Sequence, residues 1–470
     1  MSRIQALAAA GAVFLLSACA VPRPPASVDA QVAPQWYAPL PHNGTLTDLT
    51  RWWQQFNDPL MVELIVAAED ASPTLATARS RIEQARAARV AARSALLPSL
   101  DGNVSATRGN QPPMPLATTL TAGLQTAWEI DLFGGNRAAL DAARERERGA
   151  QAGWHDARVS VAAETANSYL ALRTCERQLS VAERDAASRA ETARLTQLSA
   201  KAGFTAPATA ALARASAAEA SGRLTQQRAQ CEIEVKGLVA LTALPEPQLR
   251  ERLRARWSEP AAFSMLKVAS VPAEMLAQRP DVYQAEREVA AASAEVGNAR
   301  AQRLPRLSLT GSISGGRAWA EGDSADIATW SLGPLALSLP LFDAGRRAAQ
   351  VDSAQARYEE AVALYRARVR QAVREVEEAL VNLDSARARA EDAVAAVEGY
   401  RASFAATEAR YRSGLGSLIE VEDQRRALLA AETALVSLQR ERIAAWIALY
   451  RAVGGGWTRP DETTARQEQR

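Results

Sequence analysis

Hydrophobic and polar positions along the chain follow two periods, and the change from one to the other is abrupt. Beyond Trp330 a segment alternates, placing Leu335, Leu337, Leu339 and Leu341 on one face of a strand. Pro340, Phe342, Asp343, Ala344 and Gly345 mark its end. From there to about Ser413 there is no proline and one glycine, Gly399. Over that stretch Tyr358, Val362, Tyr365, Val369, Val373, Val376, Leu380 and Leu383 recur at spacings of three and four, which predicts one very long helix. About seventy helical residues would extend roughly 105 Å, deeper than a compact soluble core. The same order occurs earlier: Trp128, Ile130, Leu132 and Phe133 end an alternating segment, and Gly134, Gly135, Asn136 and Arg137 lead into helix reaching Ala202.

The two occurrences belong to an internal duplication. Ala92, Arg93, Pro98 and Leu100 match Ala299, Arg300, Pro305 and Leu307 at an offset of 207, and Leu132, Phe133 and Arg137 match Leu341, Phe342 and Arg346 at 209. Gly203 matches Gly414 at 211. A period of this length is too long for a solenoid. Each copy reads helix, strand, loop, strand, long helix, turn, helix. The expected organisation places a first helix in 51–98, a β-hairpin in 99–132 and a helical hairpin in 133–250. A connecting segment spans 251–271, and the second copy runs as 272–305, 306–341 and 342–457.

Each strand has one apolar and one polar face. Leu100, Gly102, Val104 and Ala106 alternate with Asp101, Asn103, Ser105 and Thr107; Leu120, Ala122, Leu124, Trp128 and Ile130 alternate with Thr119, Thr121, Gly123, Gln125, Glu129 and Asp131. Leu307, Leu309 and Ile313 repeat this against Ser308, Thr310, Ser312 and Ser314. Such strands suit a barrel with lipid outside and water inside, although a half-buried soluble sheet alternates in the same way. Four strands cannot close, and no amphipathic helix is spare to cover two open edges, so three copies and twelve strands are expected. The fold class is therefore a mixed α/β membrane protein, with four strands per chain of a trimeric outer-membrane β-barrel continuing into a periplasmic antiparallel α-helical barrel. Loops Gly109–Ala117 and Arg317–Ala328 would face outward. Gly203 and Gly414 end helices that Pro207 and Ser417–Leu418 restart, making two helical hairpin tips.

At the start, Arg3 precedes an apolar run from Ala6 to Leu16, too short to span a bilayer, which reads as a signal over 1–18. Leu16, Ser17, Ala18 and Cys19 resemble a bacterial lipobox, so Cys19 is expected to be lipidated, with 19–50 as a tether. Basic and acidic residues number 55 and 53, which gives bulk electrostatics no case for nucleic-acid binding. His42 and His155 stand in no metal-ligand or nucleophile spacing, and Gly454–Gly456 lacks the Lys-Ser/Thr of a phosphate loop. No enzymatic activity, metal or cofactor is expected. Residues 458–470 read as a polar, disordered tail. Cys175 stands 29 residues before Phe204 and Cys231 stands 27 after it, so they come level in an antiparallel hairpin. They are candidates for a disulfide or, alternatively, small core residues.

Four motifs then occur in order: Trp52 to Pro59; Gln278 to Val282 with Ala285 and Glu286; Pro340 to Arg346; and Leu449 to Trp457. Together they resemble the TolC-type outer-membrane efflux proteins, nearest the OprM-like or NodT-type lipoprotein branch. The resemblance implies a homotrimeric duct in outer-membrane lipid, docked through its tips to a periplasmic adaptor and, through that, to an inner-membrane pump of the resistance-nodulation-division class. By the same resemblance Ile419, Asp423 and Arg426, on one helical face, form the periplasmic gate, while Glu422 and Gln424 depart from the family's usual Leu and Ala. Gly203, Phe204, Gly414 and Leu415 are the expected adaptor contacts. A protein-secretion duct and a lipid-anchored periplasmic coiled-coil scaffold are the alternatives.

Overall fold

The computed structural model describes residues 21–30, 52–53, 56, 58–111, 114–254, 276, 278–320 and 323–460. The expected signal, Cys19, most of the tether, much of the connecting segment, and 461–470 of the tail lie outside the described residues. In chain order the elements are α1 (Pro59–Ala71), α2 (Pro73–Ser94), β1 (Ser99–Gln111), β2 (Met114–Ile130), α3 (Gly135–Lys201), α4 (Pro207–Thr242) and α5 (Glu246–Leu253). The second half supplies α6 (Pro280–Ala301), β3 (Arg306–Ala320), β4 (Asp323–Ser338), α7 (Arg346–Ala388), α8 (Ala390–Arg412) and α9 (Leu418–Ala452). This is the mixed class expected, mostly helical with one antiparallel sheet and duplicated halves. Two compact units divide the chain: residues 1–31, 78–153 and 281–368 in one, and 32–77, 154–280 and 369–470 in the other.

The first unit holds the sheet, ordered β1-β2-β3-β4 and antiparallel throughout. Its register sets apolar against apolar: Gly102 opposite Leu124, Val104 opposite Ala122, Trp128 opposite Leu309, Ile130 opposite Leu307 and Leu307 opposite Leu337. A bulge keeps this phase in β4. Leu309 pairs with Leu335 but Gly311 pairs with Leu332, so the extra residue sits at Gly333-Pro334. Without it Trp330 and Leu332 would fall on the face opposite Leu335 and Leu337. Gly316 is required by close approach, since a Cβ there would stand 2.1 Å from the Leu120 carbonyl oxygen.

The expected loops are largely strand: β1 continues to Gln111 and β2 resumes at Met114, while β3 reaches Ala320 and β4 resumes at Asp323. Polar cross-strand pairs carry the ladder beyond the apolar stretch. Ser314 and Thr329 hydroxyls meet at 2.7 Å, and Arg317 Nε donates to Asp326 Oδ1 at 2.7 Å.

Below the strands in sequence, α6 and α7 pack through Val289, Ala292, Val296 and Ala299 against Ala354, Tyr358 and Ala361. Residues 21–30, within the expected tether, lie against these helices. Arg300 donates to the Pro22 carbonyl at 2.7 Å, Tyr358 to that of Pro25 at 3.0 Å, and Arg23 pairs with Asp141 at 3.3 Å.

In the second unit the core joins Trp52 and Phe56 to Tyr169 and Leu172 of α3, Leu238 of α4, Leu380 of α7, and Ile447 and Leu449 of α9. Trp52 stacks on Tyr450 with ring centres 4.5 Å apart. Asp58 caps α1 by accepting from the Met61 amide at 3.2 Å, and accepts from Tyr169 Oη at 2.6 Å. The first of the four motifs is therefore structural: aromatic anchors followed by a cap.

Two helices expected to be continuous are broken. Ser72 separates α1 from α2, its Oγ accepting from the Leu75 amide at 3.3 Å ahead of Pro73. Arg389 separates α7 from α8. Its Nε donates to the Ser385 carbonyl at 3.3 Å, competing with its own amide for that oxygen, and its guanidinium pairs with Glu441 of α9 at 2.7 Å. Among the described residues no helix is long and apolar enough to cross a membrane.

Candidate duct face, hairpin tips and gate residues

The sheet displays the apolar face that the alternation predicts. Leu100, Val104, Ile313, Trp330, Leu332, Leu335 and Leu337 are all exposed, between 60 and 79 %. A face of seven large apolar side chains in water would be an aggregation site; against acyl chains it is solvated. The opposite face carries hydroxyl pairs, Ser105 with Thr121 at 2.9 Å and Ser312 with Ser331 at 2.9 Å. β1 and β4 are the open edges.

Both hairpin tips have one construction. The Phe204 amide donates to the Ser199 carbonyl and the Gly203 amide to Ala200, and the second copy repeats this with Leu415 to Arg410 and Gly414 to Tyr411. These are two Schellman stops, with Gly203 at φ +81 and Gly414 at φ +77. Phe204 is 86 % exposed and Leu415 73 %, so each tip presents one apolar side chain at its apex. The restarts differ: Pro207 opens α4, whereas the Ser417 hydroxyl accepts from the Glu420 amide to open α9.

At the start of α9 two stripes separate. Ile419 is 61 % exposed, and Asp423 and Arg426 form an exposed ion pair at 2.5 Å. Leu418, Val421, Glu422 and Arg425 are buried. Glu422 therefore does not flank Asp423 on its surface. It points inward to a buried network. Ser216 of α4 donates to Glu422 Oε2 at 2.7 Å, Arg425 donates to Oε1 at 2.6 Å, and Arg189 of α3 pairs with the same carboxylate. Arg189 also pairs with Asp185 at 2.9 Å, and Arg425 reaches Ser188 and Thr192 of α3 at 3.1 Å. Burial holds the Arg425 guanidinium below its ordinary pKa, against the opposing pull of Glu422. Sequence reasoning missed this cluster because its members come from three helices; only the spacings Asp185 to Arg189 and Glu422 to Arg425 were visible.

A disulfide joins Cys175 of α3 to Cys231 of α4, Cα atoms 5.5 Å apart. Closing a loop of separation 56 stabilises by about 4 kcal/mol on a chain-entropy reckoning. Cys19 lies outside the described residues.

The family model described as "Outer membrane efflux protein" matches residues 64–244 and 271–455. The chain is 31 % identical over 459 residues to the pyoverdine export outer membrane protein OpmQ of Pseudomonas putida, covering 94 % of this chain and 95 % of that one. It is 29 % identical over 427 residues to the solvent efflux pump outer membrane protein SrpC of the same species, covering 88 % of each. Among solved structures, the outer-membrane channel OprN aligns with a TM-score of 0.80 at 28 % identity, covering 93 % of this chain and 99 % of that one.

Proposed function

Because this chain belongs to the outer membrane efflux protein family, we propose that it is the exit duct of a tripartite efflux pump, working as a homotrimer. It is an outer-membrane protein of efflux. Three copies pair β4 of each with β1 of the next, closing a twelve-stranded barrel that leaves no edge. Cys19 carries a lipid that adds an anchor. The tips at Gly203, Phe204, Gly414 and Leu415 meet a periplasmic adaptor, which connects to an inner-membrane transporter of the resistance-nodulation-division class. Ile419, Asp423 and Arg426 form the constriction. Conduction is passive, and the cargo is small organic molecules, in keeping with relatives named for pyoverdine export and solvent efflux.

The observation that carries this reading is the sheet: one continuous exposed apolar face, one hydroxylated face, and two unpaired edges in a four-strand array. A lipid-anchored soluble scaffold would leave that face in water. The test is single-channel recording of the purified mature protein in a planar bilayer, with its mass in detergent. A trimer with discrete, small openings is expected. A monomer without conductance returns the chain to the scaffold reading.

A further inference from the structure

The duplication repeats arginines as well as strands. Arg93 matches Arg300 and Arg137 matches Arg346, and each stands where a helix meets a strand. The register gathers these junctions at one end of the sheet, with Ser99 opposite Ala127, Ile130 opposite Leu307 and Arg306 opposite Ser338. Arg93, Arg303 and Arg346 are exposed and make no ion pair among the described residues. Arg137 is 73 % exposed and only 3.8 Å from Asp131 at its nearest.

Two carboxylates of this end are engaged elsewhere, while Asp101 and Glu129 stand on the hydroxylated face of the sheet. Asp131 accepts from the backbone amides of Asn136 and Arg137 at 3.1 and 2.9 Å, at the first turn of α3. Asp343 accepts from the amides of Gly345 and Arg347 at 3.1 and 3.2 Å, at the first turn of α7. The Arg347 guanidinium, at 2.8 Å, holds the Asp343 carboxyl below its ordinary range. The acids thus satisfy helix starts, and the guanidinium groups of Arg93, Arg303 and Arg346 are left to solvent.

Large apolar side chains stand beside them. Leu97 is 59 % exposed, Leu341 87 % and Phe342 91 %, each in a segment that joins a strand of the sheet to a helix. Trp128, on the apolar face of the sheet, donates its indole N–H to the Leu96 carbonyl at 3.1 Å. Apolar side chains, an indole and unpaired guanidinium groups in one band are the composition of a bilayer interface. Arg300, at the same junction, donates to the Pro22 carbonyl at 2.7 Å.

We propose that Arg93, Arg137, Arg303 and Arg346 form a collar at the helix–strand junctions that binds the phosphates of anionic glycerophospholipids in the periplasmic leaflet of the outer membrane. This rests on the sheet being lipid-facing, as the exit-duct reading has it. Charge complementarity selects the headgroup, and continuity with the apolar face fixes its depth. An arginine at an anionic surface favours association about fivefold, and averaging over boundary sites without one reduces the net preference to about threefold.

The test is electron spin resonance of the mature protein reconstituted in phosphatidylcholine bilayers with spin-labelled phosphatidylglycerol or phosphatidylcholine. About a threefold preference of the motionally restricted fraction for phosphatidylglycerol is expected, lost in the R93Q/R137Q/R303Q/R346Q variant and in 1 M salt. Equal association of the two lipids with the unsubstituted protein, or a preference that the variant retains, overturns the collar. Should the fourfold variant fail to reconstitute, R93Q and R346Q singly must each lower the preference, and a preference indifferent to salt overturns it. A missing restricted fraction with either lipid would instead sink the lipid-facing sheet.

Discussion

Gly454 has φ +89, and a Cβ at that position would lie 1.9 Å from the Gln278 carbonyl oxygen. Both the backbone conformation and the space demand glycine. Gly455 follows at φ +60, where a Cβ would stand 2.4 Å from a Val159 methyl carbon. The last motif of the chain is thus a backbone stop packed directly on the residues that precede α6. The Arg279 guanidinium ties the same corner, donating to the Ala452 carbonyl at 2.9 Å and pairing with Glu375 at 2.8 Å. Gly454→Ala is expected to destabilise by more than about 2 kcal/mol, adding left-handed strain to a clash with backbone that cannot move aside. Gly399→Ala is the contrast: that glycine is mid-helix in α8 with nothing within 4 Å of a new Cβ. It should gain up to about 1 kcal/mol. Thermal unfolding in detergent distinguishes the two, and equal midpoints would refute the account of the corner.

Among the elements, α3, α4 and α9 are tied near their tips by buried charge beside the apolar cluster of Ala193, Ala213 and Leu418. Glu422 is the hub, since its carboxylate faces Arg189, Arg425 and the Ser216 hydroxyl. Glu422→Ala leaves buried Arg189 with Asp185, which also pairs with Arg223, and buried Arg425 with the Ser188 and Thr192 hydroxyls; breaking a buried pair from one side costs about 3 to 5 kcal/mol. Opening of these turns should become about a hundredfold to several thousandfold more frequent, seen as faster amide exchange over 186–192 and 418–428 with the sheet unchanged. Unchanged exchange would mean that apolar contacts alone hold the helices. The elements differ in how far the sequence disclosed them. Strand faces and Schellman stops were legible, because a period of two and a glycine followed by Pro or Ser are local facts. The interruption at Arg389 was not, because a single residue that keeps its amide bond to the Ser385 carbonyl leaves no mark in the residue pattern. The length of β1 to β4 was under-read because Ser, Thr and Arg near the hairpin ends look like loop, yet they pair across strands. The exposed stripe Ile419, Asp423, Arg426 followed from helical spacing; the inward stripe behind it needed the fold.

For the whole molecule, what matters is what becomes of groups that one chain leaves exposed. The Asp423–Arg426 pair is at the surface, three residues apart on one helix, and a pair of that kind contributes little to a single chain's stability. In the trimer proposed above its meaning would change: if this stripe is the constriction, the same side chains surround a narrow aqueous path, where a ring of fixed charge governs which ions enter. Asp423→Ala removes three carboxylates and leaves three guanidinium groups facing one another. Their repulsion should widen the closed path, and the loss of negative charge should shift preference from cations toward anions. In planar bilayers the variant is expected to show a larger resting conductance, and a reversal potential in a potassium chloride gradient displaced toward that of chloride. The buried hub differs, because Glu422 holds helices of one chain together and presents no charge to solvent. A variant of Asp423 whose conductance and reversal potential both match the unsubstituted duct would remove this stripe from the gate.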